Sequence, residues 1–302
     1  MIRLFTIYIS IIILVVGCRP NKKEELKTVE PPAVTVKDTF IAPTLTRLWE
    51  TDKKLTTAES VFYDTIGNVL YVSCINGVPP DKKDEDGFIA KVGLDGKIIT
   101  LKWATGLSAP KGMGRIGETL YVADIDRLVA IDVNTGKISN TWKVAGASLL
   151  NDISTSDQAI VYISDSNTST IYELVKGKVT VMMKDTTMPG TNGVLVDGKN
   201  LLIAGDGTTW SVVIDGHRVT KIAEGIPAGD GIERYGAGIF QSSWMGEIYY
   251  INSDTTKTKV LDTKDVKLNT ADIEVIQSKN LLFVPTFFGN SVTAYSITNS
   301  KK

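Results

Sequence analysis

Six copies of one pattern fill the chain between Glu59 and Ile297, and this repeat restricts the fold more than any other feature. Each copy is a polar residue, a short apolar run, a turn and a second, more apolar run ending in small or acidic residues. The copies begin at Glu59, Lys111, Asn151, Asn192, Asp230 and Asp272. Their spacing is about 38–42 residues, stretched to roughly 52 after the first, which is the range of propeller blades and arrays. Every run reads as β structure: Val69-Leu70-Tyr71-Val72-Ser73, Thr119-Leu120-Tyr121-Val122-Ala123 and Ile160-Val161-Tyr162-Ile163-Ser164 are rich in β-branched and aromatic residues and follow Gly, Asn, Asp or Gln turns. Turn pairs such as Asp95-Gly96, Thr135-Gly136, Lys176-Gly177 and Asp215-Gly216 lead into a last strand of each unit, as hairpins require. No segment holds a helical period. Four antiparallel strands repeated radially give an all-β, six-bladed β-propeller.

Closure of the ring is also legible. The last copy, with strands starting at Asp272, Leu281 and Ser291, is one strand short. A lone strand-like segment, Leu45-Thr46-Arg47-Leu48-Trp49-Glu50, precedes the first copy. It is expected to complete the last blade as its outer strand. A solenoid would need no such donation.

The segment before the repeats has a different composition. Residues 1–17 carry Arg3 and then an apolar stretch too short for a membrane span of ~20 residues, as in a signal-peptide core. The stretch ends in Leu14-Val15-Val16-Gly17-Cys18, which resembles a bacterial lipoprotein processing box and implies cleavage before Cys18 and lipidation of its thiol. Residues 18–43 then form a polar, aperiodic tether, and residues 44–302 the propeller. The expected location is the bacterial cell envelope, outer membrane first, with membrane contact through the lipid only. Cys74 is left without a disulfide partner. The formal net charge of −1, with no basic run in the repeats, argues against nucleic acid as a partner, and the domain is expected to act as a monomer on a small molecule.

In a propeller blade the first strand lines the central channel, so the opening residues of the copies should ring one mouth of it. Glu59, Asn151, Asn192 and Asp230 bring two carboxylates and two amides to that ring. Oxygen donors without His or Cys suit a hard divalent cation, Ca²⁺ first, with Mg²⁺ or Mn²⁺ as alternatives. The single histidine, His217, sits in an expected turn, which sets aside zinc hydrolase and Ser-His-Asp chemistry. Lys111 occupies the second ring position as a candidate cationic contact. Ends of the second strands should form the pocket wall, with Cys74, Asp124, Asp165, Asp206, Trp244 and Phe287-Phe288 on it. The loop at Pro79-Pro80-Asp81-Lys82-Lys83-Asp84-Glu85-Asp86 lengthens the first unit and is either a lid or a solvated charged loop. Gly112-Met113-Gly114-Arg115-Ile116-Gly117 matches G-x-G-x-x-G but runs into a strand, where the dinucleotide motif does not work.

The motifs Ala58-Glu59-Ser60, Asn151-Asp152-Ile153, Asn192-Gly193-Val194 and Gly229-Asp230-Gly231-Ile232 resemble those of the senescence marker protein, gluconolactonase and luciferin-regenerating enzyme family. The resemblance covers about Glu59 to Ile297. It implies that Glu59, Asn151, Asn192 and Asp230 bind one divalent cation, and that Asp230 acts as base or directs the attacking water during hydrolysis of lactones and related esters. The chain departs from the family at Leu149, where sugar lactonases often carry Arg, so an aldonolactone substrate is not implied. The alternative is a non-catalytic envelope propeller that binds a ligand or protein partner.

Overall fold

A computed structural model describes residues 42–299. The expected lipidation residue Cys18, and the expected signal segment and tether up to residue 41, lie outside the described residues. Six four-stranded antiparallel sheets make up the domain. Blade 1 contains β2 (Ala58–Asp64), β3 (Val69–Cys74), β4 (Gly87–Val92) and β5 (Ile98–Leu107). Blade 2 contains β6 (Pro110–Ile116), β7 (Thr119–Asp124), β8 (Arg127–Asp132) and β9 (Ile138–Lys143). Blade 3 contains β10 (Leu150–Thr155), β11 (Val161–Asp165), β12 (Thr170–Val175) and β13 (Lys178–Lys184). Blade 4 contains β14 (Val194–Asp197), β15 (Asn200–Ala204), β16 (Thr208–Val213) and β17 (Val219–Glu224). Blade 5 contains β18 (Gly229–Tyr235), β19 (Gly238–Ser243), β20 (Glu247–Ile251) and β21 (Lys257–Asp262). Blade 6 contains β22 (Glu274–Ile276), β23 (Leu281–Pro285), β24 (Val292–Thr298) and, from the other end of the chain, β1 (Thr44–Glu50).

The first strands of successive blades touch in cyclic order, β2 to β6 to β10 to β14 to β18 to β22 and back to β2, so the sheets form a closed six-bladed β-propeller. Closure follows the expected donation: β1 pairs antiparallel with β24, from Thr44 opposite Thr298 to Glu50 opposite Thr293. Trp49 fastens the joint, stacking on Phe283 at 5.7 Å and donating from Nε1 to the Leu94 carbonyl at 3.1 Å.

Period-two alternation explains the packing. In β3, Leu70 and Val72 enter the cluster shared with blade 6, while Tyr71 enters the cluster shared with blade 2. Both faces of an inner strand are covered, so these strands read as continuous apolar runs. Six apolar clusters result, one at each junction between neighbouring blades. The outer strands are exposed and polar, as in Lys257-Thr258-Lys259 of β21, which discourages edge-to-edge pairing. At the β12–β13 turn both central residues have positive φ, Lys176 at 48° and Gly177 at 81°, the geometry that a two-residue hairpin matched to strand twist demands.

Candidate functional site

Ala58 of β2 lies opposite Cys74 of β3, so the start of a first strand and the end of a second share one face of the propeller. Glu59, Lys111, Asn151 and Asp230 are each the second residue of their first strand, and Asn192 and Asp272 stand two residues before theirs. The repeat phase in the sequence is therefore a phase in space. Register shifts follow in four of these strands, between Ala58 and Ser60, Pro110 and Met113, Leu150 and Ile153, and Gly229 and Ile232. A bulge of this kind leaves residues outside the ladder and re-aims their side chains, a recurrent device beside functional sites. Serines on the second strands take up freed backbone groups: Ser73 Oγ accepts from the Ser60 N–H and Ser164 Oγ from the Asp152 N–H, both at 2.9 Å.

Glycine at position 193 has a steric reason. A Cβ there would collide with the Asp230 carbonyl, so only glycine lets the backbone carrying Asn192 reach that carrying Asp230.

Glu59, Lys111, Asn151 and Asp230 are buried, at 5, 3, 8 and 3% exposure, and Asn192 is half-buried. Lys111 Nζ lies 3.8 Å from Glu59 Oε1. Burial pushes the Glu59 carboxyl up to about 7, with the Lys111 ammonium opposing. Asp230 is raised well above the carboxylate range by burial and then by the charges of Glu59 and Asp152, against Lys111 and a hydrogen bond from Asn192. Glu59, Lys111, Asn192 and Asp230 thus lie within electrostatic reach of one another. Asn151 donates through Nδ2 to Ser166 Oγ at 3.0 Å. Three buried oxygens, Glu59 Oε2, Asn192 Oδ1 and Asp230 Oδ1, have no hydrogen-bond partner. Among the described residues no group of three or more His, Cys, Asp or Glu is arranged to hold a metal ion. The ring set combines two carboxylates with two amides.

Acidic residues absent from the sequence-based site line the channel below the ring. Asp152 accepts from the Val194 N–H at 2.7 Å and is raised to about 7, chiefly by burial. Asp272 accepts from Ser60 Oγ at 2.6 Å, and its N–H donates to the Glu59 carbonyl at 3.0 Å. At the opposite face the channel opens into a cavity of about 590 Å³ whose lining includes Arg115, Asp152, Glu233, Asp272 and Glu274. Glu274 accepts from the Tyr63 N–H at 2.9 Å and is pushed up to about 8 by burial, with the Asp152 charge adding to it. Asp272 opens the sixth copy and Asp152 follows Asn151, which were the available signals. Glu233 and Glu274 carried none.

The expected pocket wall divides in two. Asp124 and Asp165 are corrected to connectors between strands, because the loop backbone satisfies them. Asp124 accepts from the Ser108 and Ala109 N–H groups at 3.1 and 2.7 Å and from Arg127 Nε at 2.8 Å. Asp165 accepts from the N–H groups of Ser148, Asn167 and Thr168 at 2.7–3.1 Å. Asp206, exposed, accepts from the Ala228 N–H at 3.2 Å. Cys74 is fully buried and free, and burial raises its thiol well above the usual range. Trp244, Phe287 and Phe288 form mutual edge-to-face contacts with centroids 4.9–5.9 Å apart. The charged loop of blade 1 reaches the boundary with blade 2, where Lys83 Nζ meets Asp126 Oδ2 at 2.7 Å. His217 lies exposed in its turn with φ 53°. The glycine motif at 112–117 spans β6 and the turn to β7, with no helix following.

No protein-family model matches the chain, and no curated protein sequence does. Solved structures do. A gluconolactonase from Xanthomonas campestris is similar with a TM-score of 0.63 at 15% identity, over 85% of this chain and 95% of that one. A catalytically inactive virginiamycin B lyase from Staphylococcus aureus, solved with quinupristin, gives 0.60 at 14%, over 84% and 99%. A chain of the nidogen–laminin complex gives 0.57 at 16%, over 68% and 80%. At these identities the likeness concerns the fold.

Proposed function

We propose that the chain is a divalent-cation-dependent hydrolase of lactones or related esters, with Ca²⁺ as the first candidate cation and Mg²⁺ or Mn²⁺ as alternatives. The observation that carries this reading is that three unpartnered buried oxygens belong to ring residues: Glu59 Oε2, Asn192 Oδ1 and Asp230 Oδ1. A buried polar atom without a partner costs ~1–3 kcal/mol, and more when charged, so three of them in one ring call for a group that pairs with all three. Hard oxygen donors from two carboxylates and two amides fit a divalent cation, and Glu59, Asn151, Asn192 and Asp230 would hold it. When bound, such a cation would supply Lewis acidity toward a carbonyl oxygen and offset the repulsion between Glu59 and Asp230.

The protein's own contributions follow from burial and charge. Asp230 would hold the attacking water and accept its proton. Lys111 balances Glu59 and keeps the ring from carrying two bare negative charges. Two neighbours of the same fold are enzymes, a gluconolactonase and a lyase, which supports an enzyme of the hydrolase or lyase class. The second reading, a non-catalytic propeller that binds a partner at the envelope, is favoured by Leu149, which offers no cationic substrate anchor. The proposed location is the cell envelope, with a lipid on Cys18 as the anchor and the propeller acting as a monomer.

The test is hydrolysis of a panel of lactones and aryl esters by residues 42–302, with Ca²⁺, Mg²⁺ or Mn²⁺ and after chelation, in wild type and Asp230→Asn. Cation-dependent turnover that falls at least ~100-fold in Asp230→Asn supports the proposal. Turnover indifferent to chelator, or full activity in the variant, sinks it. An inert panel selects the binding reading.

A further inference from the structure

Six of the seven apolar clusters in the domain close the six junctions between blades. The seventh does not. It consists of Ile75, Ala109, Ile125, Ala271 and Phe287, all buried, with Trp244 packed against them. Every member directly precedes a first strand or follows a second strand, or lies within three residues of one, so the cluster sits at the mouth that carries Glu59 and Asp230. Its members come from blades 1, 2, 5 and 6, whereas Asn151 and Asn192 come from blades 3 and 4. The first strands of blades 1, 2 and 5 also carry Glu59, Lys111 and Asp230, so apolar and charged groups adjoin at this mouth.

Backbone hydrogen bonds tie this cluster to the ring residues. The Phe287 N–H donates to the carbonyl of Ala58, beside Glu59, at 3.1 Å. The Trp244 N–H donates to the carbonyl of Ala228, two residues before Asp230, at 2.9 Å. The Leu150 N–H, beside Asn151, donates to the Ile125 carbonyl at 2.7 Å. Phe287 has φ 46°, a left-handed backbone that a bulky residue seldom adopts and that costs on the order of 1–2 kcal/mol. The next ring, Phe288, stands 55% exposed with its edge against Phe287 and Trp244. Met245, next to Trp244, is 51% exposed.

Several polar positions near the mouth offer nothing to sugar hydroxyls. Asp124 and Asp165 hold loop backbones, Lys111 faces Glu59, and position 149 is Leu. From this partly exposed aromatic group beside the ring residues we infer that it receives an aromatic ring or alkyl chain of the substrate. The preferred substrates are then lactones or esters bearing such a group, not polyhydroxylated lactones. Trp244, Phe287 and Phe288 determine that preference. The inference rests on the hydrolase reading above for its kinetic arm.

The experiment compares a γ-lactone carrying a hexyl chain with glucono-δ-lactone, in wild type, Phe288→Ser and Trp244→Phe. A kcat/KM at least ~10-fold higher for the alkyl lactone is expected, with Phe288→Ser raising its KM roughly tenfold and leaving the KM for gluconolactone within about twofold. Equal or greater kcat/KM for gluconolactone, or an unchanged KM in Phe288→Ser, overturns the inference while leaving the hydrolase reading intact. If neither lactone is hydrolysed, the hydrolase reading fails and tryptophan fluorescence decides this one. A saturable change with the alkyl lactone that is lost in Trp244→Phe, and absent with gluconolactone, upholds it. No such change refutes it.

Discussion

Glu274 gives the sharpest forecast of how the domain responds to pH. Its carboxyl is raised from an ordinary 4.5 to about 8, because burial in the channel disfavours the ionised form. The folded protein therefore holds this proton more tightly than the unfolded chain does. The resulting stability is fully present below pH 4.5 and is lost as pH rises through about 8. Each unit is worth 1.36 kcal/mol, so the full shift corresponds to about 5 kcal/mol; contact with solvent at the open cavity screens this to about 2–3 kcal/mol. Glu274→Gln keeps an oxygen for the Tyr63 N–H, bonded at 2.9 Å in the wild type, and cannot ionise. With chelator present, wild-type stability should fall from pH 5 to pH 8.5. The variant should match it at pH 5 and exceed it by about 2–3 kcal/mol at pH 8.5, or roughly 4–12 °C in Tm for a domain of this size. Calorimetry or urea titration at four pH values measures it. A wild-type curve that is flat or rising over this range, or a variant with the same slope, would refute the assignment of Glu274 as a carboxyl held protonated by the channel.

Gly193→Ala should cost about 2–4 kcal/mol and abolish cation-dependent activity together, since the added methyl strikes the Asp230 carbonyl and forces Asn192 and Asp230 apart. A loss of stability without loss of activity, measured by denaturant titration and turnover, would separate the two residues functionally. Cys18→Ala in the full-length chain should move the protein from the membrane fraction to the soluble fraction and abolish incorporation of labelled fatty acid. Unchanged fractionation and labelling would remove the proposed anchor.

Much of this architecture was legible because a propeller writes itself repeatedly. Alternation in Leu70, Tyr71 and Val72 states that both faces of an inner strand are buried, and the orphan strand around Trp49 announces how the ring closes. The ring residues were legible for the same reason: Glu59, Asn151, Asn192 and Asp230 recur at one phase. Asp124 and Asp165 were misread because an acid at a strand end looks alike in sequence whether it caps a loop or faces a ligand. Only the direction of neighbouring N–H groups distinguishes the two, and that direction depends on a loop conformation set by residues such as Ser108 and Ser148. Asp152, Glu233 and Glu274 were missed for a different reason. Bulges beside Asn151 and Asp230 change which side chains face the channel at Asp152 and Glu233, and a one-residue slip leaves no mark in an apolar pattern. Glu274 lies in a short strand without a bulge and reads in sequence like any polar strand residue.

The joint between β1 and β24 also fixes an order of events. Thr44 and Thr298 are partners, yet nearly the whole domain is synthesised between them. Blades 1 to 5 are each contiguous in sequence and can assemble as they emerge, whereas blade 6 must wait for strands from both ends. Until the last strand arrives, β1 is an unpaired edge and the ring is an open arc with two bare faces, the species most prone to pair with another chain. Folding is accordingly a matter of guarding one strand until the chain is complete, and a chain ending before Val292 would be an arc that cannot lock.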